Sequence, residues 1–136
     1  MDEIVKQYTY PQQHDQITLY QDGMILVKFG EVTPNDIENN AETKWVVECF
    51  EEMKRLRPEG HLKILLDFTT IDSGEFNTKE SNQHYREMLH DPMVDKVAVF
   101  GVPVGWQLVI DLLRAFMPHK LQTFSTEAAA RQWLWS

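Results

Sequence analysis

Three short runs constrain this chain more than anything else in it: residues 62–68 (LKILLDF), 96–102 (KVAVFGV) and 120–124 (KLQTF). Each is short, apolar and rich in strand-forming residues, and a stretch with helical spacing separates each from the next. That alternation points to a parallel βαβαβ unit, a sheet covered by helices. Such a sheet gathers its working loops at the carboxyl ends of its strands. In this chain those loops begin at Thr69, Val102 and Ser125.

The chain ahead of these runs adds a hairpin and a helix. Residues 17–20 and 24–29 flank Gln21, Asp22 and Gly23, and Asp-Gly supplies the positive φ values of a tight hairpin turn. Residues 1–16 are an N-terminal extension, or an edge strand over 4–10. Residues 17–136 form a single domain, the size expected of 136 residues. Thr33 is a helix cap with Pro34 in the first helical position. Ile37, Ala41, Trp45, Cys49, Met53 and Leu56 then recur at helical spacing, giving an apolar stripe that Val46 and Phe50 widen. Asn77 with Glu80 has the form of a capping box and opens a second helix to about His90. Residues 106–117 form a third, apolar over most of its circumference: only Gln107, Asp111 and Arg114 interrupt it. Such a helix must be covered on more than one side. Ser125 or Thr126 caps a fourth, 127–135.

Composition excludes several classes of function. The formal charge is −8, with 13 Lys and Arg against 21 Asp and Glu. That argues against a nucleic-acid surface, which needs clustered cations, and against docking on an anionic membrane. The single cysteine permits no intrachain disulfide. The N-terminus lacks the apolar core of a signal peptide, and no run approaches a membrane span. The expectation is a cytoplasmic protein with no stable membrane insertion.

The order of elements (hairpin, helix, strand, helix, strand, helix, strand, helix) resembles the STAS domain of anti-sigma-factor antagonists. It is closer to the uncharacterised bacterial branch of SpoIIAA-like proteins, which are also compared with CRAL-TRIO lipid-transfer domains. Residues 64–74 (ILLDFTTIDSG) are similar to the STAS pattern, a strand ending in Asp followed by an Asp-Ser-Ser-Gly-type turn. Residues 94–101 and 124–134 (FSTEAAARQWL) are similar to the last strand-to-helix segment of the SpoIIAA-like family. The resemblance implies an α/β fold with a SpoIIAA-like (STAS-type) sheet of about five strands. In it an N-terminal hairpin leads into the parallel βαβαβ unit, and four helices cover the sheet. In antagonist STAS domains the serine of the turn is phosphorylated and switches binding to a partner kinase. Carried over, the phosphoacceptor or switch turn is Asp72, Ser73 and Gly74, although one Ser stands here where the pattern has two small hydroxyl residues.

The residues leave two readings of that turn open. Phosphate on Ser73 adds about two negative charges beside Asp72 and Glu75, whereas Asp-Ser-Gly is also ordinary turn chemistry. A ligand or partner surface is expected from Thr70, Phe76, Gly101, Gly105, Trp106, Val109 and Leu113, where a greasy helix meets the loops. The glycines there do not match a dinucleotide fingerprint. His84, Glu87 and His90 do not converge as metal ligands, so no metal and no cofactor are expected. Cys49 lies on the apolar stripe, an inert thiol. No acid, base and nucleophile converge, so the chain is not expected to be an enzyme. The expectation is a regulatory or scaffolding domain acting through protein–protein contacts, as a homodimer or with another protein. The alternative is a carrier or sensor of a small lipophilic ligand, held between the sheet and helix 106–117.

Overall fold

The computed structural model describes residues 3–31, 33–57, 60–69, 78–102 and 120–136. The strands are β1 (Ile4–Tyr10), β2 (Asp15–Tyr20), β3 (Met24–Lys28), β4 (Leu62–Asp67), β5 (Val94–Phe100) and β6 (Leu121–Phe124). The helices among the described residues are α1 (Asp36–Leu56), α2 (Lys79–Leu89) and α3 (Glu127–Leu134). All six strands form one sheet, ordered in space as they are in sequence. Pairing is antiparallel from β1 to β3 and parallel from β3 to β6. The expected parallel unit is present and extends one strand further back, because β3 also pairs in parallel with β4. The sheet has six strands rather than about five, since residues 4–10 pair with β2. The expected helix 106–117 lies outside the described residues.

Local chemistry sets the boundaries. At the β2–β3 turn Gly23 takes φ +97, and Asp22 Oδ1 accepts the Met24 N–H at 3.1 Å. β5 starts and ends two residues before the expected 96–102. Asp91 closes a turn by accepting the N–H groups of Met93 and Val94, so pairing with β4 begins at once. The strand ends where Gly101 turns to φ +73. α1 is capped by Asn35, whose side chain accepts the Glu38 N–H at 2.9 Å. Thr33 does not cap it, and Pro34 lies ahead of the helix. Thr78 caps α2 in place of the expected Asn77, accepting the Ser81 N–H at 3.0 Å. Thr126 caps α3.

The sheet separates two cores. On one face Ile17, Leu19, Val27, Ile64, Leu66, Val97 and Val99 pack with Val46, Phe50 and Met53 of α1 and Leu89 of α2. On the other, Met24, Leu65, Ala98 and Phe100 pack with Ala130 and Leu134 of α3. Adjacent residues Ile64 and Leu65 point to opposite faces and are 1% and 0% exposed. A strand buried on both sides reads as a continuous apolar run, which explains 62–68.

The stripe expected on α1 is corrected. Its inward residues are Asn39, Glu42, Thr43, Val46, Cys49, Phe50 and Met53, while Ile37 is 80% and Leu56 46% exposed. Steps of four overshoot a helical turn. Ile37 and Met53 stand about 160° apart around the axis at roughly 100° per residue. Of the expected set, Cys49 and Met53 are buried, as are Val46 and Phe50 that widen the stripe; Trp45 is half-buried against Tyr10.

Leu65→Ala is expected to destabilise the protein by about 2–5 kcal/mol, the range for a large-to-small change in a closed core. Ile37→Ala is expected to change stability by less than about 0.5 kcal/mol. Urea unfolding midpoints of the two variants check both; equal losses would contradict an α1 that turns Ile37 to solvent.

Candidate functional site

The carboxyl ends of the parallel strands align in one register row, with Lys28 opposite Asp67, Asp67 opposite Phe100, and Phe100 opposite Phe124. The chain leaves the sheet immediately past this row, so its loops start from a common rim. Asp67 is 7% exposed. Its Oδ1 accepts both the Thr69 N–H at 2.9 Å and the Thr69 hydroxyl at 2.6 Å. Gly101 lies against the same residue. A Cβ at Gly101 would stand 2.5 Å from Thr69 Cγ2, and φ +73 independently disfavours any other residue. Thr69 is thus held from two sides. Beside it Gly101, Val102, Thr123, Phe124 and Ser125 line an open depression of about 460 Å³.

A second anchor lies one loop further along. The Thr78 N–H donates to Asn39 Oδ1 at 2.9 Å, and the Thr78 hydroxyl donates to Asn40 Oδ1 at 2.5 Å. Two amides on α1 therefore pin the start of α2. The Thr43 and Ser81 hydroxyls, both 0% exposed, meet at 2.7 Å across the same seam. Buried hydroxyls without such a partner would each be unfavourable by about 1–3 kcal/mol. This seam explains why the first turns of α1 bury polar rather than apolar residues.

A buried carboxyl pair completes this side of the rim. Asp15 is 1% exposed and Glu42 6%. Asp15 Oδ1 accepts the Gly30 N–H at 2.6 Å. Burial first, and then Asp15 as a neighbouring acid, raises the Glu42 carboxyl above the usual carboxylate range. Burial likewise raises the phenols of Tyr10 and Tyr85, and the same two acids add to both. Cys49 is pushed up to about 12, by burial first and then by Glu52 and Glu48. It is therefore a thiol, not a nucleophile.

Of the expected site residues, Gly101 is described and takes part in the rim. Asp72, Ser73 and Gly74 fall outside the described residues, as do Thr70, Phe76, Gly105, Trp106, Val109 and Leu113. On α2, Glu87 accepts from Gln83 at 2.9 Å on the exposed side. Among the described residues no group of three His, Cys, Asp or Glu is placed to hold a metal ion. No helix among them is long and apolar enough to cross a membrane.

A family model for SpoIIAA-like proteins matches residues 24–135, from the first residue of β3 to just past α3. The chain belongs to the SpoIIAA-like family. The crystal structure of an uncharacterized protein with a SpoIIAA-like fold from Shewanella loihica PV-4 is similar, with a TM-score of 0.61 at 16% identity. The alignment covers 98% of this chain and 95% of that one. No curated protein matches the chain. The SpoIIAA-like match covers the parallel strands, the three described helices and the rim. Asp15 lies ahead of it and Glu42 within it. The Asp15–Glu42 pair and the Asn39–Thr78 anchor were missed by sequence reasoning. The signal that could have found them was the inward face of α1, read backwards from Met53, Phe50 and Val46 to Glu42, Thr43 and Asn39.

Asp67→Ala is expected to lower stability by about 1–3 kcal/mol, because two Thr69 donors lose a buried acceptor. Asp67→Asn keeps an acceptor oxygen and loses less. Amide exchange at Thr69 together with denaturant unfolding checks this. An unperturbed Thr69 amide in the Ala variant would show that the anchor does not hold.

Proposed function

We propose that this protein is a regulatory or scaffolding domain that works through protein–protein contacts, with its contact surface on the rim at the carboxyl ends of β4, β5 and β6. Membership of the SpoIIAA-like family supports this reading. The observation that carries it is the pair of anchors on either side of Ser73 in the chain. Thr69 is tied to Asp67, and Thr78 is tied to Asn39 and Asn40. A recognition loop benefits from fixed ends, since ordering it on binding then loses less entropy.

On this reading Asp72, Ser73 and Gly74 are the switch. Phosphorylation of Ser73 brings about two negative charges next to Asp72 and Glu75, and repulsion displaces an acidic partner. The partner is a second copy of this chain or another protein, and no catalytic step is assigned to the domain.

The test uses affinity-tagged wild type, Ser73→Ala and Ser73→Asp, with phosphopeptide mapping of protein isolated from its native cells. Ser73→Asp is expected to weaken the wild-type interaction about tenfold, on the order of 1.4 kcal/mol. Ser73→Ala is expected to retain it, with thermal midpoints unchanged in both. Identical partner recovery in all three proteins, with no phosphate on Ser73, would remove the switch.

A further inference from the structure

We propose that the outer edge of β1 is a dimerisation surface, on which a second copy of this chain pairs antiparallel about Tyr8 to give one continuous sheet across both copies. The rim begins at β4, three strand spacings or roughly 14 Å away. It stays open in this pairing, so the inference rests neither on the rim nor on Ser73.

Among the described residues β1 pairs only with β2, so its other side presents a row of backbone groups with no neighbouring strand. It is the long border of the sheet, seven residues against four in β6. Its side chains are not those of a solvated border. Ile4 is 56% and Val5 44% exposed, and Lys6 is the one charged residue between Ile4 and Tyr10. The register shifts at Val5; from Lys6 to Tyr10 the strand then runs opposite Leu19 to Asp15 without a break. That regular stretch is what a further strand can add to.

The residues on that stretch select a second copy rather than any strand. Lys6, Tyr8 and Tyr10 share the face toward α1. Lys6 Nζ lies 5.8 Å from the Tyr8 ring centroid, Tyr8 packs on the core that α1 covers, and Tyr10 packs on Trp45. A two-fold axis through Tyr8 keeps all three together across the seam, because opposite residues of an antiparallel ladder share a face. Lys6 then stands opposite the partner's Tyr10, Tyr8 opposite the partner's Tyr8, and Gln7 opposite the partner's Thr9. These are favourable cross-strand pairs: cation on aromatic, aromatic on aromatic, amide on hydroxyl. Val5 comes opposite the partner's Pro11, which covers apolar surface at both ends of the seam. An axis through Lys6 would instead set two lysines face to face. An axis through Gln7 would set Tyr10 against the irregular start of β1. In a chain of net charge −8, this border carries one charge and it is a cation. Glu38 of α1 bears on the Tyr10 phenol. Each Lys6 therefore approaches the Glu38 flank of the other copy, and the axis makes the two approaches equivalent.

The test is sedimentation equilibrium of the full chain over a concentration series, with Lys6→Glu, Glu38→Lys and an equal mixture of the two. Wild type is expected to sediment as a dimer. Each variant alone sets like charges together at both ends of the seam, and its dissociation constant is expected to rise about tenfold or more. The mixture puts opposite charges back at both ends, and wild-type affinity is expected to return. Ser73→Asp is expected to leave the dimer intact; a dimer that it weakens is made at the rim and overturns the proposal. Wild type that stays monomeric leaves this border to solvent or to another protein's strand, and also overturns it. So does a dimer of unchanged affinity in Lys6→Glu, or a mixture no tighter than either variant. Thermal midpoints check that the variants are folded. If Glu38→Lys, at the start of α1, does not fold, Lys6→Glu on the exposed strand decides alone.

Discussion

The parallel ladder from β3 to β6 is the constraint from which the rest of the structure follows. Parallel neighbours cannot be joined by a tight turn, so each pair needs a crossover. The crossovers bring α1 and α2 onto one face, and α3 covers the other. Burial on both faces accounts for the unbroken apolar character of β4, with Ile64 and Leu65 serving different cores. Register then gathers Lys28, Asp67, Phe100 and Phe124 into one row, and the chain leaves each strand from the same rim. A shift of one residue in any strand would turn its side chains to the wrong core and take its loop out of line.

α1 shows how one helix serves two ends of the domain. Its second half is ordinary core, with Val46, Phe50 and Met53 against the sheet. Its first half carries Asn39, Glu42 and Thr43 inward, where each meets a specific polar partner near the rim. Apolar packing tolerates small shifts in position; paired hydroxyls and carboxyls do not, because a missed hydrogen bond in low dielectric is a large penalty. The helix is thus bound loosely in direction at one end and strictly at the other. The strict end is the one beside Thr78 and Asp15.

Much of this was legible in the residues alone. The three apolar runs, the Asp-Gly turn and the Thr126 cap all rest on short-range chemistry, and each is present, with β5 displaced by two residues. The inward face of α1 was not legible from spacing by four, because such a series spirals around a helix while each step looks regular. The carboxyl pair was hidden for a different reason. Asp15 and Glu42 are 27 positions apart, and each alone reads as surface. Only the fold buries two acids that each look solvated, Asp15 at 1% and Glu42 at 6% exposed. Gly101 was singled out for its loop, but its reason, the approach of Thr69 from a neighbouring strand end, needs the parallel register as well.

The identity of spatial and sequential strand order has a consequence for how the domain is made. Each strand joins the free edge left by its predecessor, so none has to wedge between two that are already paired. Growth can follow synthesis from the amino-terminal meander outward, with short-range closures first and longer crossovers later. The final strand, β6, has only four residues. A border that short gives a passing chain little to template on, whereas the opposite border, β1, runs for seven residues.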